Sequence, residues 1–101
     1  MSPKKITAAE FDREVLSSST PVLLDFYADW CGPCRMLAPT LEAIAEEHPE
    51  IKVCKVNVDE ESELAARFGV MSIPSLFVIK NGEITNQALG ALPKQQLLDL
   101  I

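Results

Sequence analysis

No part of this sequence is apolar for long. Runs such as Ser75-Leu76-Phe77-Val78-Ile79 reach about a quarter of the roughly 20 residues that a membrane helix needs, so no membrane role is expected. An export signal is equally hard to find. Lys4 and Lys5 supply charge near the start, but Ile6-Thr7-Ala8-Ala9-Glu10 is no apolar core for one. Basic residues are scarce: 9 Lys+Arg against 15 Asp+Glu give a net charge of −6. With no Lys/Arg cluster to neutralise phosphates, nucleic-acid binding is excluded. Cysteine is rare and odd in number; three residues cannot all pair, which excludes a secreted disulfide framework. Repeats and low-complexity stretches are missing too, and Ser17-Ser18-Ser19-Thr20-Pro21 reads as a loop rather than a linker. The expectation is a soluble protein of a reducing compartment, the cytoplasm.

What is present is a chain of 101 residues, 48% apolar and 24% charged, a composition that folds. Its length suits one domain, residues 1–101, whose core needs no disulfide staples. Thr7-Ala8-Ala9-Glu10 has capping-box spacing, and Phe11 and Val15 mark the apolar face of the helix it opens. Val22 to Tyr27 is almost continuously apolar, the pattern of a strand covered on both faces. After Trp30-Cys31-Gly32-Pro33-Cys34, Leu37, Leu41, Ile44 and Ala45 recur at helical spacing, with Glu42, Glu46 and Glu47 opposite. Pro39 should kink this helix, and His48-Pro49 ends it. Ile51 to Val58 reads as a strand. Acidic Asp59 to Glu63 then opens a short helix through Leu64, Ala65 and Phe68, which Gly69 stops. Ser75–Lys80 and Glu83–Leu89 flank Asn81-Gly82, a hairpin signal, and Pro93 suits the first position of a last helix carrying Leu97, Leu98 and Ile101. The sum is an α/β fold with a central mixed sheet and an antiparallel hairpin on an otherwise parallel arrangement.

Cys31 and Cys34 lie three apart at a helix start. Such positions hold their Cβ atoms about 5–6 Å apart, and a disulfide wants roughly 3.5–4.5 Å, so a slightly tightened first turn would close the bond. Unpaired backbone N–H groups and the positive helix end favour thiolate at Cys31. The dipole supplies about 0.3–2 kcal/mol against about 1.4 kcal/mol per pKa unit, so hydrogen bonds to the sulfur must supply any larger shift. This predicts that Cys31 attacks and Cys34, one turn inward, resolves. The competing reading is half a zinc site, which His48 and Cys54 would complete as Cys₃His. Against it, the helix separates His48 from the cysteine pair by roughly 20 Å.

From Val22 through Cys34, and again at Lys55-Val56-Asn57-Val58-Asp59, Ile73-Pro74 and Lys80-Asn81-Gly82, the sequence closely resembles the thioredoxin family, over nearly its whole length. The resemblance implies the thioredoxin fold, with helices on both faces of the sheet, and the activity of a protein disulfide reductase. In that chemistry Cys31 forms a mixed disulfide with the substrate and Cys34 resolves it. It implies no bound cofactor, since a flavin-dependent thioredoxin reductase would pass on electrons from NADPH, and it implies disulfide-containing target proteins as partners of a monomer. A disulfide oxidase or isomerase of the same fold, or a binding or chaperone module that ignores its thiols, are the alternatives. Gly-Pro between the cysteines favours the reductase.

Asp25 is a carboxylate in an apolar strand, where burial raises the pKa by up to a few units. A half-exposed strand end, or neutralisation by Lys55, is the alternative on sequence alone. The resemblance places Asp25 behind the cysteines as an aid to deprotonating Cys34, with Lys55 nearby. Sequence alone makes Pro74 an ordinary trans proline, cis being found in roughly 5–6% of X–Pro bonds. The resemblance instead makes it cis, facing the disulfide, with the backbone of Ile73 pairing an extended substrate. Trp30, Gly32, Pro33, Ile73, Pro74, Gly90 and Ala91 would then form an apolar docking patch; on sequence alone the plainer reading of Trp30 is a partly buried aromatic. Four features depart from the family: Tyr27 replaces a common second Trp, Met71-Ser72 replaces a basic or glycine residue, the last helix is short, and Cys54 falls on no motif. Cys54 reads as a buried structural thiol, with glutathionylation or dimerisation as the other role. In single Cys→Ser variants iodoacetamide should react faster at Cys31 than at Cys34 near neutral pH; the reverse order overturns the assignment.

Overall fold

The computed structural model describes residues 2–101, and Met1 lies outside them. Its strands are β1 (Lys4–Lys5), β2 (Val22–Tyr27), β3 (Lys52–Asn57), β4 (Ser75–Lys80) and β5 (Glu83–Leu89). The α-helices are α1 (Gly32–Glu47), α2 (Ser62–Arg67) and α3 (Lys94–Leu98). Across the sheet the order is β1-β3-β2-β4-β5. Strands β1, β3 and β2 run parallel, whereas β4 pairs antiparallel with β2 and β5 with β4. This is the mixed sheet expected from the sequence.

β2 takes the centre because Val22 to Phe26 are all buried, and alternate side chains serve opposite faces. On one face Val22, Leu24 and Phe26 meet Phe11, Val15, Leu64 and Ala65. On the other, Leu23 joins Leu37, Leu41 and Ile44 of α1 and Leu97 of α3. Helical segments thus cover both faces. The chain's four phenylalanines gather in the first layer: the Phe68 ring centroid lies 5.5 Å from that of Phe11, 5.1 Å from Phe26 and 4.9 Å from Phe77. The Phe11 and Phe77 contacts are edge-on, as ring quadrupoles prefer. The β4–β5 hairpin turns on Asn81 and Gly82 at φ 52° and 80°, the left-handed pair that a tight two-residue turn needs.

The structure departs from the sequence reading at four places. Lys4 and Lys5 form a strand, paired in parallel with Cys54 and Lys55; two exposed lysines have no apolar alternation to announce it. The helix expected after Thr7 is not a regular α-helix. A 3₁₀ turn over Ala8–Glu10 runs into a π-helical turn over Asp12–Leu16, closed by the Ser17 N–H donating to the Asp12 carbonyl at 2.9 Å. The Glu10 carboxylate still accepts the Thr7 N–H at 3.0 Å, so the capping contact forms while the winding changes. Pro93 is the N-cap of α3 rather than its first helical residue, and the acidic stretch Asp59–Glu61 precedes α2, with Glu61 as N-cap. Helix α1 continues through Pro39.

The unusual amino-terminal turn presents Glu14 to three cations: Lys52 at 2.9 Å, Lys4 at 3.1 Å and Arg13 at 3.3 Å. The hydrogen bonds from Lys52 and then Lys4 pull the Glu14 carboxyl from its ordinary 4.5 down to about 2. A depressed carboxyl stabilises the fold above the unfolded value and loses that contribution as pH falls through the folded one. In denaturant unfolding, wild type should therefore exceed Glu14→Gln in stability at pH 6, and the gap should shrink between about pH 4.5 and 2. A gap independent of pH would show that the network is not electrostatic.

Candidate active site

Strand β2 ends at Tyr27, and Cys31 is the N-cap of α1, extended at φ −87° and ψ 112°. Its Sγ accepts the Cys34 N–H at 3.2 Å, the place usually taken by a Ser, Thr, Asp or Asn oxygen. The same sulfur is disulfide-bonded to Cys34 across 5.2 Å between Cα atoms. Pro33 occupies the first helical turn, where a missing N–H leaves no helical bond unmade. Cys31 and Cys34 are 4% and 6% exposed, so burial does not distinguish them. The hydrogen bond does, because the Cys31 sulfur receives a backbone donor that would stabilise negative charge.

The opposite wall is the segment before β4. The Ile73–Pro74 peptide bond is cis, and the Ile73 carbonyl oxygen lies 3.9 Å from Cys31 Sγ. Gly90 donates its N–H to the Pro74 carbonyl at 2.9 Å with φ +88°, a conformation open to glycine at no steric cost. Cys31, Ile73, Pro74 and Gly90 are thus brought together. Gly32 lies within the same first turn as Pro33, and Ala91 is exposed beside Gly90.

Trp30 is 69% exposed and is not the partly buried aromatic of the plainer reading. Its indole Nε1–H donates to Asp59 Oδ2 at 2.9 Å, which fixes the ring despite its exposure. Asp59 is positioned in turn by buried Asn57, whose Oδ1 accepts the Asp59 and Glu60 N–H groups at 2.9 and 3.2 Å. Ser75, also buried, donates to the Ser72 carbonyl at 2.6 Å and holds the loop before Pro74. Sequence reasoning missed Asn57, Asp59 and Ser75 as site residues. An Asn at a strand end, two residues before an Asp, is an Asx-turn signal that would have found the first two.

Asp25 is 1% exposed, which removes the half-exposed alternative. Its register partners are Lys55 on β3 and Leu76 on β4. Lys55 lowers the Asp25 pKa through space but does not neutralise it: burial dominates and raises the carboxyl from 3.8 to about 7. The Lys55 ammonium instead sits 4.4 Å from the Tyr27 ring centroid, a cation–π contact, and no ion pair joins it to Asp25 among the described residues. Asp25 Oδ1 is buried with no hydrogen-bond partner. A cleft of about 170 Å³ brings Cys34 and Lys55 together with Tyr27 and Arg35.

The donors of the alternative zinc reading do not converge. His48 caps the far end of α1, and Cys54 is buried in the layer on the other face of the sheet. Among the described residues no three metal-ligating side chains form a group. Burial pushes the Cys54 thiol up to about 11, so it is a protonated, packed side chain at neutral pH.

Residues 2–101 match the family model described as Thioredoxin. The thioredoxin of Streptomyces clavuligerus is 50% identical over 95 residues, covering 94% of this chain and 89% of that protein. The thioredoxin of Porphyra purpurea is 48% identical over 98 residues, covering 96% and 92%. Among solved structures, a mutant thioredoxin from Halobacterium salinarum NRC-1 superposes with TM-score 0.92 at 39% identity, covering 99% of this chain and 88% of that one.

The Asp25 carboxyl carries a pH signature. Folded, it holds its proton to about pH 7, whereas the unfolded chain releases it near 3.8, so stability falls as pH rises between those values. The full effect is on the order of 4 kcal/mol, at about 1.4 per pKa unit. Denaturant unfolding of the oxidised forms should show Asp25→Asn gaining on wild type between pH 4 and 7, then holding a constant advantage. A difference that does not change with pH overturns the raised pKa.

Proposed function

The chain belongs to the thioredoxin family and is a thiol–disulfide reductase, and on that premise we propose how its residues divide the reaction. Cys31, as thiolate, attacks one sulfur of a target disulfide. The target S–S bond breaks, a Cys31–target mixed disulfide forms, and the first target sulfur leaves as a thiolate that takes up a proton. Cys34 then loses its proton to Asp25 and attacks the Cys31 sulfur. The Cys31–Cys34 bond re-forms, the second target thiolate departs, and two electrons have passed from this chain to the target. Asp25 suits the proton transfer because its pKa lies near neutrality, and Lys55 tunes it from the neighbouring strand.

Docking falls to Trp30, Gly32, Pro33, Ile73, Gly90 and Ala91, with Pro74 fixing the wall opposite Cys31 and the Ile73 backbone free to pair an extended target segment. The reaction needs no bound cofactor. Electrons come from NADPH through a flavin-dependent thioredoxin reductase, and the chain works as a monomeric single domain in the cytoplasm. One observation supports this division best: the attacking sulfur is itself the cap of α1, within hydrogen-bonding reach of a backbone N–H in the turn that carries the resolving thiol.

The test is dithiothreitol-driven insulin reduction. Wild type should catalyse it and Cys31→Ser should not, while Cys34→Ser should stop at a stoichiometric mixed disulfide. Asp25→Asn should slow target release by roughly 10²-fold, with a changed pH profile between pH 6 and 9. An unchanged profile removes the Asp25 role. A strongly oxidising Cys31/Cys34 potential would reverse the direction to that of an oxidase, and turnover independent of both cysteines would leave only a binding module.

A further inference from the structure

Asp25 and Tyr27 lie two apart on β2, and Lys55 is the register partner of Asp25 on β3, so the three side chains share one face of the sheet. That is the face whose Leu23 and Val53 pack against α1. The Lys55 ammonium therefore has two partners within reach: the Asp25 carboxyl directly beside it, and the Tyr27 ring at the next position on the same face. It takes the ring, 4.4 Å from the centroid. Tyr27 and Lys55 are half-buried and line the cleft that opens at Cys34, whereas Asp25 is buried. The other charged groups around this face are engaged. Lys5, in register with Lys55 on β1, pairs with Glu60 at 2.8 Å. Arg35 of α1 donates to the Asp29 carbonyl at 2.9 Å, and β4 places Leu76 opposite Asp25. Asp29, which lines the same cleft, is the remaining carboxylate for Lys55 to meet.

We propose that Tyr27 is a positioning residue for the resolving half of the reaction: its ring holds the Lys55 ammonium over the cleft and off the Asp25 carboxyl, and so keeps Asp25 basic enough to take the Cys34 proton. The inference rests on the reductase reading, in which that proton passes from Cys34 Sγ to a carboxylate oxygen of Asp25, and it adds the residue that sets the strength of the base. An ammonium in contact with a carboxylate favours its charged form and weakens it as a base. For a buried carboxyl that effect is large, because water screens it little. In the arrangement present, burial outweighs the influence of Lys55 and the carboxyl stays raised to about 7. A ring suits the holding task because its face attracts an ammonium without carrying a charge. A carboxylate at position 27 would also hold Lys55, but as a like charge it would disturb Asp25 in its turn. Over the cleft the ammonium also keeps part of its hydration, which burial beside Asp25 would remove.

The experiment follows the Asp25 carboxyl carbon by NMR against pH in the disulfide form, where neither Cys31 nor Cys34 titrates. Tyr27→Phe keeps the ring and should leave the midpoint in place. Tyr27→Leu should lower it by about 0.5–1 pH unit, the shift that release of a cation–π contact supports. Made on top of Lys55→Met, the same Tyr27→Leu change should no longer lower it. Water admitted by the smaller side chain would instead shift the midpoint equally in both backgrounds, and that result overturns the proposal. So does a midpoint unmoved by Tyr27→Leu, which would mean that Lys55 had turned to Asp29 or to solvent. Should Tyr27→Leu not fold, successively fluorinated phenylalanines at position 27 keep the ring's shape while weakening its face. A midpoint that falls with each fluorine supports the proposal, and a constant one overturns it. In turnover, the pH at which target release is half-maximal should move down in Tyr27→Leu and return in Tyr27→Phe. Insulin reduction by wild type separates the two readings. Reduction without a Lys55-dependent shift removes the role of Tyr27 alone; no reduction removes the reductase reading and the role of Tyr27 within it.

Discussion

The first turn of α1 has to satisfy its own backbone N–H groups, and here a sulfur satisfies one of them. An oxygen cap would have done so for folding alone. With Cys31 as the cap, the donor that starts the helix is placed to stabilise a thiolate once the disulfide is reduced, and the helix geometry sets the distance to Cys34. The redox pair is thus inherited from the way the helix begins. Pro33 strengthens the arrangement by entering the first turn, where its missing N–H is harmless. Ile73 and Pro74 then need only approach one fixed atom, and the Ser75–Ser72 and Gly90–Pro74 hydrogen bonds hold them there.

A second constraint follows from the sheet. Among the described residues the buried polar side chains are Asp25, Asn57 and Ser75, and all three lie towards the end of the sheet where β2 delivers the chain to Cys31. In register, Phe26 faces Ser75 and Tyr27 faces Asn57. Asn57 and Ser75 are satisfied by local backbone groups, so each orders a loop at little net cost. Asp25 is different, because one of its oxygens has no partner and Lys55, the cation opposite it in register, is engaged with Tyr27. The fold tolerates that carboxyl by keeping it protonated through the acidic range. A carboxyl whose pKa lies near neutrality fits the proton-transfer role proposed for Asp25.

Much of this was legible in the residues. Continuous apolar sequence from Val22 announced a central strand, Leu37 to Ala45 gave the buried face of α1, and Asn81-Gly82 gave the hairpin. Asp25 stood out as a charge in an apolar run. What escaped has a physical reason in each case. β1 is two exposed lysines, specified by pairing with Cys54 and Lys55 rather than by any pattern of its own. The π-helical turn keeps Phe11 and Val15 four apart, so periodicity cannot separate it from an α-helix; the ion network around Glu14 and the packing of Phe11 on Phe68 accompany the wider winding. The cis bond at Pro74 depends on the surrounding loop, and only resemblance pointed to it.

Charge is distributed unevenly over the molecule, and the pattern bears on reactivity. A chain of net charge −6 with 15 Asp+Glu pairs three of these carboxylates away from the disulfide: Glu14 with Lys4 and Lys52, Glu47 with Lys94, Glu50 with His48. Near the dithiol, Asp59 is held by the Trp30 indole and Arg35 by the Asp29 carbonyl. Two grooves beside Ile73 are left without charge. An acidic protein that met its targets through an acidic face would repel many of them and select the rest by charge. Here Asp29 and Asp59 stay exposed beside Trp30, so charge remains part of the surface around the dithiol while the grooves next to it carry none.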